Sequence, residues 1–486
     1  MNVVSSLDSV ALPTLARFKL AIYNLTLFQL TLIVTERTWI SMTSSPVGSP
    51  EPAVGLSRDL LMVSFAFYPC ASVGAHRAGK LSKYLPEYGW RPRILTVKEK
   101  HYELRDSALS AEISPEAQVK RTGYLGIEIL KPLLPTAKSE TQSGQRTGGP
   151  HRFEDRIRPA PESWFDLPRG IGWLPFGLAR GIALAKKCDA IWATSPLPGG
   201  LCLGALLSRH MGKPFVADLQ DPWHLQDVSP YPTGLHRLLN QSWERFVLDT
   251  ARLILVTTDE TKEMYESQYR RHAGKIAVMP IGYDSADFGE PAGSAPPADT
   301  GTLHVGYFGS LYQGRESCML QLMSAVKTML EERPGTRVSL YVRGRKPERA
   351  IWLADKAGVR AFADIEGPIS HKQTIEMMKR MDVLVLLGSP KHTHALPSKV
   401  FEYIGARKPV LAVTPPSVTT RFLEENQIGI SADPGKIVNI RTALQRITKN
   451  YLFYLAQIDL VAPKFTNRVL AREFAGMLTA IVEKSS

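Results

Sequence analysis

Cysteine is scarce: four in 486 residues, with no pair in the Cys-x-x-Cys spacing of a structural zinc or redox site. That excludes a disulfide scaffold. Cys70, Cys188, Cys202 and Cys318 each lie in or beside an apolar segment, the pattern of buried free thiols in a reducing compartment. Repeated long apolar runs are missing too, which excludes a polytopic membrane protein. There is no short-period repeat, no dense Lys/Arg run and no aromatic–basic RNA signature, so nucleic acid is not an expected partner. What is present is a globular composition, 44% hydrophobic and 22% charged, enough to build two or three domains. Net charge is +13, from 59 basic and 46 acidic residues, which suits phosphorylated substrates or an anionic membrane surface.

Residues 1–58 stand apart. The stretch 18–33, FKLAIYNLTLFQLTLI, is interrupted by Asn24, Thr26, Gln29 and Thr31, too short and polar for a membrane span. No A-x-A-like site closes it as a signal peptide. It reads as a poorly structured extension or a weak membrane-associated segment, with initiation at Met42 an equal alternative.

From residue 59 the pattern becomes regular. RDLLMVSFAF is a buried strand, SVGAHR a Gly-bearing loop, AGKLSKYLPEYG a helix and RPRILTV a second strand, a β-α-β unit that opens a parallel sheet. Residues 98–165 break the rhythm and read as a long polar insertion. The alternation resumes through DAIWATS, KPFVADL, RLILVTT and KIAVMP. A Gly/Pro/Ala/Asp-rich linker follows, and then the same grammar restarts at LHVGYFG. The expected architecture is α/β: two Rossmann-like doubly wound domains, 59–285 and 301–464, joined by a 286–300 linker and facing across a cleft, with an amphipathic helix at 465–486 packed on a domain surface.

The segments FYPCASVGAHRAGKLSKYLPEYGWRPRILTV, DAIWATSPLPGG, KPFVADLQDPW, HVGYFGSLYQGRES and LPSKVFEYIGARKPVLAV, in this order, resemble glycosyltransferase family 4, the group 1 transferases of the GT-B superfamily. The resemblance covers roughly residues 60 to 486 apart from the insertion. It implies retaining transfer of a sugar from a nucleotide-sugar, UDP- or GDP-linked, without a cofactor or a DXD-bound metal. The donor would sit on the C-terminal half and a glycan or lipid-linked acceptor on the N-terminal half. Surface polysaccharide or glycolipid assembly follows as the expected setting, in the cytoplasm and at the inner face of the cell membrane.

The resemblance also places the site residues. Gly74, in the Val73–Arg77 loop, would let backbone N–H groups approach the donor phosphates, against the plainer reading of a tight βα turn. Gly309 holds the equivalent place in the second half, and Arg315 would stabilise the departing diphosphate. Arg343 and Lys346 are secondary candidates, against simple surface solvation. Glu402 matches the second Glu of the family's E-x7-E pattern, which binds ribose hydroxyls; a carboxylate accepts two at once. The first Glu is replaced by His394, a departure that bears on donor choice or activity. Ser398 and Lys399 open that helix beside the phosphates. Asp218, Asp221 and Trp223 follow a buried strand at its carboxyl end and are the acceptor candidates, Asp221 also for proton transfer. Structural capping by Asp218 and core packing by Trp223 are the competing readings. Two other functions share the fold: a nucleotide-sugar 2-epimerase and a non-catalytic scaffold for a glycan assembly complex.

Overall fold

The computed structural model describes residues 57–126, 168–225, 231, 233–289, 301–311, 314–332, 335, 337–390 and 393–484. The predicted extension lies outside them except for its last two residues, as do 127–165 of the predicted insertion and the linker beyond 289. Among the described residues no helix is long and apolar enough to cross a membrane.

The chain builds two all-parallel sheets. The first holds β1 (Arg58–Ser64), β2 (Trp90–Val97), β3 (Gln118–Thr122), β4 (Ala190–Thr194), β5 (Phe215–Leu219), β6 (Leu253–Val256) and β7 (Ile276–Val278), in the order β3-β2-β1-β4-β5-β6-β7. The second holds β8 (Thr302–Phe308), β9 (Arg337–Arg343), β10 (Ala363–Glu366), β11 (Val383–Leu387), β12 (Val410–Val413) and β13 (Gly429–Ala432), in the order β10-β9-β8-β11-β12-β13. Strands buried on both faces read as apolar runs, which is why Leu60 to Val63 and Val383 to Leu387 declare themselves in sequence. In each sheet the order reverses beside the opening strand, so β1 and β8 mark the two switch points where ligand crevices form.

The helices that matter here are α1 (Val73–Tyr84), α2 (Leu174–Ala185), α3 (Pro198–Met211), α4 (Gly234–Thr250), α5 (Asp259–Gln268), α6 (Ser285–Phe288), α7 (Arg315–Glu332), α8 (Pro347–Ala357), α9 (His371–Arg380), α10 (Lys399–Gly405), α11 (Val418–Asn426), α12 (Ile437–Lys449), α13 (Tyr451–Val461) and α14 (Asn467–Glu483).

Two features depart from the sequence reading. Residues 98–165 are not wholly an insertion, because they supply β3, paired with β2 from Arg93↔Gln118 to Val97↔Thr122. As an edge strand β3 is half-exposed and its sequence, QVKRT, carries no apolar run. The last helix is an integral part of the first half. Ala471, Phe474, Ala475 and Leu478 of α14 share one core with Leu60, Leu81, Tyr84, Trp90 and Trp192. The chain therefore passes between the halves twice, and the two crossings are bonded to each other: Tyr283 N–H donates to the Phe465 carbonyl at 2.9 Å, and Asn467 N–H to the Tyr283 carbonyl at 2.7 Å. The four cysteines are buried and free, and burial pushes the Cys188 thiol up to about 12.

Candidate functional site

At the first switch point, Gly74 is buried, and a Cβ there would stand 2.4 Å from the Pro196 ring in the β4–α3 turn. Glycine is required by this close approach, which brings the first turn of α1 to the sheet edge. Three residues on, Arg77 and Asp218 form a buried pair, with Arg77 Nε at 2.7 Å and Nη2 at 2.9 Å from the carboxylate. Thr194 Oγ1 adds a donor to Asp218 at 2.9 Å, and Arg77 donates further to the Pro280 and Met279 carbonyls at 2.9 and 3.0 Å. Asp218 is fully buried, so no acceptor reaches it. The expectation of acceptor contact is corrected here: a carboxylate at the buried end of β5 needs a cation, and Arg77 supplies it from α1.

Asp221 differs. It is solvent-exposed, yet nearby protein desolvates it, and this raises its carboxyl above the usual range. Trp223 is half-buried and held by its main chain and ring: its backbone N–H donates to the Tyr265 hydroxyl at 2.9 Å and its Nε1 to Asn240 Oδ1 at 3.0 Å. Beneath this loop Glu244 is fully buried, accepting from Tyr265 at 2.7 Å and Tyr269 at 2.8 Å and contacting His224 Nδ1. The loop from Asp221 to His224 is thus clamped to α4 and α5.

At the second switch point β8 and β9 pair to their last residues, Phe308 and Arg343, and the glycines that follow them stay in close contact. Gly309 N–H donates to the Arg343 carbonyl at 2.9 Å, and a Cβ on Gly344 would fall 2.0 Å from the Gly309 oxygen. Arg315 opens α7, half-buried, and its charge lowers Tyr403 and Cys318 against the burial that raises both. Arg343 is buried and bound to Asp364 at 2.7 Å and Glu366 at 3.1 Å, a structural commitment that removes it from the ligand candidates. Lys399 Nζ binds Glu402 Oε2 at 2.6 Å in the first turn of α10, with Ser398 just before it, and His394 is exposed on the loop ahead.

Sequence reasoning missed the residues that join the halves. His76, in the first turn of α1, stacks toward His371, the first residue of α9, with ring centroids 5.9 Å apart. Burial, and then the charge of His371, lowers His76 to about 4. His371 is raised, first by its bond to Asp287, with Nε2 at 3.3 Å from Oδ2. Lys80 on α1 lies 2.5 Å from Glu112, 2.8 Å from Asp284 and 3.1 Å from Asp287. Burial alone would lower this ammonium, but Tyr68, Asp287 and Asp284 outweigh it and hold it above its usual value. Glu112, Asp284 and Asp287 are close enough together to hold a cation, and that place is taken by Lys80. A histidine two residues after the loop glycine, and another opening a helix after GPIS, were the available signals.

A family model described as Glycosyltransferase Family 4 matches residues 144–287. No curated protein matches the chain in sequence. Among solved structures, a glycosyltransferase from Rickettsia africae aligns over 88% of this chain and 99% of its own, at 13% identity and TM-score 0.58. WaaG, a glycosyltransferase involved in lipopolysaccharide biosynthesis, aligns over 87% and 99%, at 13% identity and TM-score 0.54. A putative UDP-N-acetylglucosamine 2-epimerase from Listeria monocytogenes aligns over 88% and 97%, at 11% identity and TM-score 0.54. The two-sheet GT-B expectation is borne out across the described residues, and the family resemblance is borne out by the family match in the first half.

Proposed function

We propose that this chain, a glycosyltransferase of the GT-B fold, moves a sugar from a nucleotide-sugar to a hydroxyl of a glycan or lipid-linked acceptor. The transfer retains configuration, uses no metal and serves surface polysaccharide or glycolipid assembly. The observation that supports this reading is that the helix following β1 meets the second half, with His76 of α1 against His371 of α9 and within reach of the charges of Lys399 and Glu402 on α10.

In this reading the C-terminal half holds the donor. Lys399 engages only Oε2 of Glu402, which leaves Oε1 to accept ribose hydroxyls. Arg315 offsets charge that develops on the leaving diphosphate, and the Gly309 loop, His394 and Ser398 line its place. The close approach permitted by Gly74 turns the N–H groups of α1 toward the sugar. The acceptor lies on the N-terminal half against Trp223. Asp221, more basic than an ordinary carboxylate, accepts a hydrogen bond from the attacking hydroxyl. Contact with an anionic membrane is part of the proposal, supported by the charge of +13 and by the exposed Leu452, Phe453 and Leu460 on α13.

The test is consumption of UDP- and GDP-sugars by the purified chain with and without lipid-linked glycan fractions, followed by mass spectrometry. Acceptor-dependent release of nucleoside diphosphate supports the transferase. Conversion of the donor to an isomeric nucleotide-sugar without acceptor replaces it with the 2-epimerase reading.

A further inference from the structure

The His76–His371 contact is made by residues from opposite halves, and each ring has one nitrogen already placed. His371 Nε2 faces Asp287 Oδ2 at 3.3 Å. His76 Nδ1 lies 3.4 Å from the Tyr68 hydroxyl. The other nitrogens, Nδ1 of His371 and Nε2 of His76, remain for a ligand between the halves. The groups acting on this spot are His76 and Lys80 from α1, Tyr68 from the loop after β1, Asp287 from α6, and Lys399 and Glu402 from α10. The first turns of α1 and α9 add their partial positive charge.

We propose that His371 and His76 form a cross-cleft pair that binds the diphosphate of the nucleotide donor, His371 as a cationic donor and Asp287 as the residue that positions it. This rests on the glycosyltransferase reading and adds to it a cation from an element outside the recognised motifs. Two imidazolium rings in contact would repel. The pair avoids this by favouring one charge rather than two: burial disfavours the imidazolium of His76, while the Asp287 carboxylate, 3.3 Å away, favours it on His371. A charge-assisted hydrogen bond from imidazolium to phosphate is the stronger kind, and it forms only while His371 is charged.

The experiment is calorimetric titration of the full chain with UDP, GDP, ADP and TDP between pH 5.5 and 9.5, each affinity read relative to His371→Gln at the same pH so that the diphosphate's own last protonation cancels. On that scale wild-type affinity for the diphosphate that binds falls about tenfold across this range. His371→Gln binds about tenfold more weakly at the acid end, and the two proteins converge at the alkaline end. Asp287→Asn moves the fall to lower pH and keeps the same limits, a readout that a merely structural role would not move. A His371→Gln protein with wild-type affinity and an unchanged pH slope overturns the inference while leaving the transferase standing. Failure of every diphosphate to bind the wild-type chain overturns the transferase reading itself. Should His371→Gln not fold, the Asp287→Asn profile decides alone, and an unshifted profile is the negative result.

Discussion

Arg77 and Asp218 are each nearly or fully enclosed, and removing one leaves the other charged, buried and unpaired. Asp218→Ala is therefore expected to lower unfolding free energy by about 3–5 kcal/mol in urea titration. A loss below about 1 kcal/mol would show that Arg77 is compensated elsewhere. Asp221 gives the opposite pattern: Asp221→Asn leaves stability within about 0.5 kcal/mol, because the side chain faces solvent. The same change lowers acceptor-dependent turnover by about 100-fold or more if the carboxylate assists the hydroxyl. Unchanged turnover would remove Asp221 from the site. The two histidines set opposite pH slopes. Below the ordinary 6.5 an unfolded His76 takes up a proton that the folded one resists to about 4, so its contribution falls as pH drops through that window. His371, raised in the fold, stabilises fully below 6.5 and loses that contribution as pH rises through its folded value. Thermal melts against pH are expected to peak near 6.5, with His76→Gln flattening the acid side and His371→Gln the alkaline side. Sequence singled out Asp221, Arg315 and Glu402 because their spacing matches a motif. It could not show that Asp218 is spent on Arg77, or that His76 meets His371, since both pairings are made only when α1 docks.

At the scale of elements, the buried strands were legible because parallel strands covered on both faces leave continuous apolar runs. β3 was not, since an edge strand needs no such run, and α14 revealed its amphipathic face but not the core that receives it. Phe474 is fully buried between α1 and the first sheet. Phe474→Ala should cost about 3–5 kcal/mol, and hydrogen exchange should show the loss in β1 and α1. Loss confined to α14 would mean that the helix docks without supporting the first half. On α13, the pair Leu452→Ser with Phe453→Ser is expected to reduce sedimentation with anionic vesicles and leave diphosphate affinity unchanged. Equal sedimentation of this variant and wild type would remove α13 from the membrane contact.

Across the whole molecule, each sheet reverses its strand order beside its opening strand, and the proposed function gives the donor to one of these switch points and the acceptor to the other half. The double crossing, with Tyr283 bonded to Phe465 and Asn467, ties the two halves together. Sequence grammar conveyed the tandem arrangement, while the ion cluster of Lys80 with Asp284 and Asp287, which joins α1 to the first crossing, depended on the assembled fold. The central claim is that this chain binds a nucleotide-sugar donor without metal. Its most direct test is the thermal stability of the purified chain with UDP, GDP, ADP, TDP and CMP, in chelator and then in magnesium. One nucleoside diphosphate should raise the melting temperature equally in both, by the equivalent of about 2.7 kcal/mol at a hundredfold excess over its Kd. No rise with any of them at millimolar concentration, from well-folded protein, would contradict the account and leave a GT-B scaffold that binds no donor.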